Sequence, residues 1–151
     1  METTFRHLVC VLLFALGPLC FGQAVTVRII TDKKVPLQKE QVALSLLYEK
    51  GGKTPAKFDP ILHSETDKEG EARFVLPDPA PAHLSVRVKL GSPYWHCGCG
   101  AFAETQEVIR DGIVDSAAKP KAFSKAKPGE ILFVVRPLSF FERLLYPVMK
   151  E

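Results

Sequence analysis

The run His83-Leu84-Ser85-Val86-Arg87-Val88-Lys89-Leu90 alternates apolar with polar residues along its length. Successive side chains of a strand point to opposite faces of a sheet. A period of two therefore commits Leu84, Val86, Val88 and Leu90 to a core and Ser85, Arg87 and Lys89 to water. The pattern recurs in Ala24–Thr31, where Val25, Val27 and Ile29 share a face, and in 41–48, where Val42, Leu44 and Leu46 do. Leu and Ala also suit a helix in the second run, but the alternation and the β-rich surroundings favour a strand.

The stretch from Ser64 to Pro77 reads as a β-hairpin. Asp67 opens a type I turn and Gly70 closes it in the left-handed conformation, which a residue without Cβ adopts cheaply. Ala72, Phe74 and Leu76 then face one way, and Glu71, Arg73 and Val75 the other. Residues 49–59 read as a loop broken by Gly51-Gly52 and Pro55. The prolines of Asp78-Pro79-Ala80-Pro81-Ala82 bar that connector from a sheet interior. Residues 104–114 read as a further strand ending at the Asp111-Gly112 turn, after which Ile113-Val114 begin the next short piece, and 116–129 as a lysine-bearing solvated loop. Glu130–Arg136 is apolar on both faces, which predicts a central or covered strand. These short runs between Gly and Pro turns predict an all-β fold, a single antiparallel β-sandwich. A short C-terminal helix follows over 138–146. Ser139 and Glu142 are spaced for a capping box, and Phe141, Leu144 and Leu145 lie on one face. Two readings of that face stay open: packing on the sandwich, or docking onto a membrane or partner through Phe140, Phe141, Leu144, Leu145 and Tyr146.

Residues 1–22 read as a signal peptide, with Arg6 ahead of the apolar run Leu8–Leu16 and a break at Gly17-Pro18. Cleavage is expected after Gly22, with a cut after Ala24 as the alternative. The apolar run is shorter than the roughly 20 residues a membrane span needs, so no span is expected in the mature chain. The predicted organisation is a leader at 1–22, a sandwich domain at 23–137 and a tail at 138–151. The product is expected to be secreted or to reside in the periplasm or cell envelope. The net charge of +3 is too mild, and basic residues too little interleaved with aromatics, to predict nucleic acid as a partner.

Asp32, Pro36-Leu37 and Val42, followed by Thr66-Asp67-Lys68-Glu69-Gly70 with Phe74 and Leu76, resemble the pattern of carboxypeptidase regulatory-like domains. The resemblance covers about residues 24 to 91. It departs from the pattern at Val35, where a glycine commonly precedes the proline, and at Lys39-Glu40, where a small pair is usual. It implies a transthyretin-like sandwich of the carbohydrate-binding-like kind in an exported protein of bacterial type. An accessory or binding role goes with it, and no peptidase zinc ligands or general base.

With Cys10 and Cys20 in the leader, Cys97 and Cys99 remain, in Tyr94-Trp95-His96-Cys97-Gly98-Cys99-Gly100. Three readings compete. His96, Cys97 and Cys99 are ligand types for Cu or Zn. Cys97 and Cys99 can instead close a small, readily reduced disulfide across Gly98. They can also be structural, or pair with another protein. No nucleophile elbow and no His-Glu-x-x-His occurs, and Glu65, Asp67, Glu69 and Glu71 crowd a turn where carboxylates are ordinarily just solvated. The expectation is a non-enzymatic exported module with a structural, adhesion or ligand-binding role. The alternatives are metal or thiol-redox work at 96–99 and, on fold class alone, carbohydrate binding. A protein or glycan partner would be met through loops or the tail helix. Because one cysteine pair does not build a scaffold of this size, Cys97→Ser combined with Cys99→Ser is expected to retain a cooperative thermal unfolding transition, read by circular dichroism.

Overall fold

A computed structural model describes residues 22–48, 58–93, 95–96, 100–116 and 125–145. In chain order the strands are β1 (Ala24–Thr31), β2 (Gln41–Leu47), β3 (Phe58–Glu65), β4 (Glu71–Val75), β5 (His83–Lys89), β6 (Trp95–His96) and β7 (Gly100–Glu104). Helix α1 (Thr105–Asp111), β8 (Ile113–Ser116), β9 (Glu130–Pro137) and helix α2 (Phe140–Leu145) complete the chain. They form a two-sheet sandwich. One sheet has the order β4-β1-β9-β6, with β8 also paired to β9; the other has the order β3-β2-β5-β7. Antiparallel pairings dominate, but β9 runs parallel to both β1 and β8.

The alternating runs place their apolar faces as the period of two requires. Val25, Val27 and Ile29 meet Val42, Leu44, Leu46, Leu84, Val86 and Val88 across the sandwich, with Ile131, Phe133 and Val135 from β9. Each large side chain so enclosed contributes roughly 1.5–3 kcal/mol. Strand β9 is buried on both faces, as its unbroken apolar run predicts. Leu132 and Val134, on its outer side, pack with Ile30 and Ala126.

The turn at 67–70 has the local geometry of a tight turn, but its flanking strands are not a hairpin. Strand β3 pairs with β2 in one sheet and β4 with β1 in the other. The chain instead crosses between sheets here. Asp67 O accepts from Gly70 N at 3.0 Å, and Asp67 Oδ1 accepts from Glu69 N and Glu71 N. Gly70 has φ 75°, and its carbonyl accepts from Ile29 N at 2.9 Å. A Cβ at Gly70 would stand 2.6 Å from Ile29 O and 3.0 Å from Pro36 Cβ. Just before the turn, buried Thr66 joins the crossing to the β1–β2 loop. Its Oγ1 donates to Leu37 O at 2.7 Å and accepts from Glu40 N at 3.0 Å.

The expected strand over 104–111 is not there, although Ile113-Val114 do begin the next strand after the Asp111-Gly112 break. Strand β7 stops at Glu104 and α1 follows, because Thr105, Val108 and Ile109 recur at helical spacing. Thr105 and Val108 are buried. The Thr105 amide donates to Ala82 O at 2.9 Å in place of a side-chain cap. Gly112, at φ 69°, ends the helix, and β8 begins at the next residue. Strand β3 also starts earlier than the sequence suggests, at Phe58, within the segment read as loop.

The C-terminal helix forms, but Phe141 and Leu144 do not pack on the sandwich: both are exposed. Leu138, ahead of the helix, is the residue that is buried. Tyr146 lies outside the described residues.

Period two places Asp115 on the same sheet face as Ile113, which packs against the core, and its register partner is Phe133. Asp115 is half-buried, and its Oδ2 is enclosed without a hydrogen-bond partner among the described residues. Burial pushes its carboxyl above the ordinary value. The unfolded chain therefore gives up this proton at lower pH than the folded chain. Ionisation opposes folding once pH passes the unfolded value, and the cost is complete above the raised folded one.

Two stability experiments follow from these contacts. Gly70→Ala is expected to cost about 2 kcal/mol or more in urea unfolding, since a positive φ and a backbone clash act together. Gly91→Ala, whose Cβ would meet Glu40 Oε2 at an ordinary 3.7 Å, is expected to stay within about 0.5 kcal/mol. Asp115→Asn is expected to raise Tm at about pH 7 and to leave it unchanged at about pH 3, where the aspartate is protonated in both states.

Candidate functional site: the outer face of the four-stranded sheet

The side chains of β3, β2, β5 and β7 that turn away from the core form rows fixed by the strand register. In one row Ile61 lies across from Ser45, Ser45 from Ser85, and Ser85 from Phe102. In the next, His63 lies across from Ala43, Ala43 from Arg87, and Arg87 from Gly100. A third row sets Glu65, Gln41 and Lys89 side by side. With neighbouring strands about 4.8 Å apart and alternate residues about 7 Å apart along a strand, His63, Arg87 and Lys89 lie within roughly 12 Å of one another.

The centre of this face is small and flat, made of Ala43, Ser45 and Ser85. Its rim is not: Ile61 is 52% exposed and Phe102 60% exposed. The Phe102 ring stacks on the His83 ring at a centroid separation of 5.2 Å and an interplanar angle of 13°. Toward the start of β2 and the end of β5, Lys39 and Lys89 lie to one side of Gln41 and Glu65 to the other. A shallow cleft of about 270 Å³ is lined by Lys39, Gln41, Lys89, Leu90 and Gly91. A second, of about 360 Å³, is lined by Gln41, Val42, His63, Ser64 and Glu65, so the two share Gln41. One half of the face thus offers an aromatic edge beside small side chains, and the other offers Lys39, Arg87 and Lys89 on one side of an amide and Glu65 on the other.

The residues singled out from the sequence lie elsewhere. Asp67 and Gly70 make the crossing turn, and their contacts are with backbone. Of the three residues read as metal ligands, Cys97 and Cys99 lie outside the described residues, as do the disulfide readings. His96 is described only as a backbone position in β6, across from Arg136. Among the described residues no three His, Cys, Asp or Glu side chains come together where a metal ion could sit.

Sequence reasoning had Ser85, Arg87 and Lys89 facing water but not the face they belong to. Which strands lie beside β5 is a matter of topology. The alternation Ala101-Phe102-Ala103, with small residues inward and a large aromatic outward, was the available signal for Phe102.

Comparison with known proteins returns no match to a family model, to a curated protein or to a solved structure.

Proposed function

We propose that this chain is an exported, non-enzymatic binding module that holds an acidic glycan on the outer face of its four-stranded sheet. The observation that carries the reading is the pairing, on one flat face, of an exposed aromatic edge at Phe102 with the cations Lys39, Arg87 and Lys89. Sugar rings present apolar C–H faces that stack on aromatic rings, and uronate carboxylates complement guanidinium and ammonium groups. A flat face with a small-residue centre admits an extended chain better than a compact ligand. The signal-like residues 1–22 support export. The resemblance of residues 24 to 91 to carboxypeptidase regulatory-like, transthyretin-like domains supports an accessory role.

Calorimetric titration with polygalacturonate, and with dextran as the uncharged control, tests the assignment. Binding is expected for the polyuronate alone and should weaken as salt rises. Arg87→Glu and Phe102→Ala, both at exposed positions, are each expected to weaken it about tenfold, or about 1.4 kcal/mol. Absence of binding, or binding that neither substitution changes, overturns the proposal.

A further inference from the structure

A second surface, independent of the sheet face, lies where β1 and β9 both end. Those strands are parallel, with Thr31 paired to Val135, so their C-terminal ends emerge side by side. Asp32 N donates to Val135 O at 2.8 Å, which sets the loop carrying Lys33, Lys34 and Val35 alongside the segment leading into α2.

A helix of six residues is too short to persist alone, yet α2 is tightly held. Arg136 grips the Glu142 carboxylate with its two terminal guanidinium nitrogens, Nη1 donating to Oε2 at 2.8 Å and Nη2 to Oε1 at 2.6 Å. Ser139 and Glu142 close a reciprocal capping box: Ser139 N donates to Glu142 Oε2 at 2.7 Å and Glu142 N donates to Ser139 Oγ at 3.3 Å. Arg136 first and then Ser139 hold the Glu142 carboxyl well below the usual carboxylate range. Arg143 Nε adds a hydrogen bond to Leu138 O at 3.1 Å.

What this anchoring displays is apolar. Phe140, Phe141 and Leu144 are 72%, 74% and 61% exposed, and the two phenylalanine rings meet edge to face at 5.8 Å. Around them the charge is lopsided. With Arg136 and Glu142 paired to each other, Lys33, Lys34 and Arg143 stand against Asp32. Aromatic side chains raised on a fixed helix with a cationic border match the two demands of an anionic bilayer surface, namely apolar burial at the headgroup boundary and attraction to negative lipid. Among the described residues no helix is long and apolar enough to cross a membrane.

We infer that this pole seats the protein on an anionic lipid surface, with Phe140, Phe141 and Leu144 entering the interface and Lys33 and Lys34 meeting the headgroups.

Co-sedimentation of the full chain with vesicles of phosphatidylglycerol and phosphatidylcholine tests this, with pure phosphatidylcholine vesicles as the comparison. The chain is expected to pellet with the anionic vesicles and at least about tenfold less with the neutral ones. Phe140→Ser, Phe141→Ser and Leu144→Ser together should reduce binding to anionic vesicles by a similar factor, with the circular dichroism spectrum of the sheets retained. Lys33→Glu with Lys34→Glu, which leaves the helix intact, should remove the preference for anionic lipid. Lack of vesicle binding overturns the inference. So does binding that survives the triple substitution, which would place it elsewhere on the chain, the apolar N-terminal run included. If sedimentation velocity instead shows a dimer that the triple variant loses, with no vesicle binding, the pole is a self-association surface and the inference fails.

Discussion

Thr66 is where the two sheets are tied. Its hydroxyl donates to Leu37 and accepts from Glu40 within one buried site, and its backbone repeats the link, with Lys39 N donating to Thr66 O and Thr66 N to Glu40 O. A buried hydroxyl that loses such partners leaves them unsatisfied, which costs more than the bonds themselves contribute. Four residues on, Gly70 brings the same crossing against Ile29 and Pro36. The β1–β2 loop and the β3–β4 crossing are therefore one unit, and the register of β4 on β1 depends on it. Buried Glu40 extends the same knot: its carboxylate accepts from Gly91 N, joining the end of β5 to it.

The rest of the fold hangs from β9, which joins β1 on one side to β8 and β6 on the other. Its central position explains its burial on both faces and why its sequence lacks alternation. It also decides which surfaces remain open. The outer side of the five-stranded sheet buries Ile30, Leu132 and Val134. The outer side of the four-stranded sheet keeps Ile61, His63, Arg87, Lys89 and Phe102 in solvent. The asymmetry between the sheets is what leaves this face open to solvent.

Much of this was legible in the sequence where one periodicity dominated. The inward sets of β1, β2, β4 and β5 follow from alternation, because a one-residue shift would expose every core side chain of a strand. The capping box of α2 was equally plain, since Ser139 and Glu142 act on their own backbone. What failed depended on partners distant in sequence. Ser64–Pro77 carries the local chemistry of a hairpin, and nothing within it says that β3 and β4 join different sheets. Thr105–Asp111 has the spacing of a helix in Thr105, Val108 and Ile109, but so short a run is settled as one only by the burial of Val108 in the common core. The open face of α2 is a third case: Phe141 and Leu144 have the spacing of a packed face, but the helix is fixed by Arg136 and Leu138 and turns that face outward. The sheet platform was legible only in part, as the outward residues of β5.

The parallel pairing of β1 with β9 carries a mechanical consequence. Tension applied between the start of β1 and the end of β9 pulls along the strands, not across them. The six paired positions from Thr26–Glu130 to Thr31–Val135 are then loaded in shear and must give way together rather than one by one. Resistance to such a pull is a matter of the unfolding rate rather than of equilibrium stability. A module held at one pole and drawn from the other would meet the load with its most buried strand.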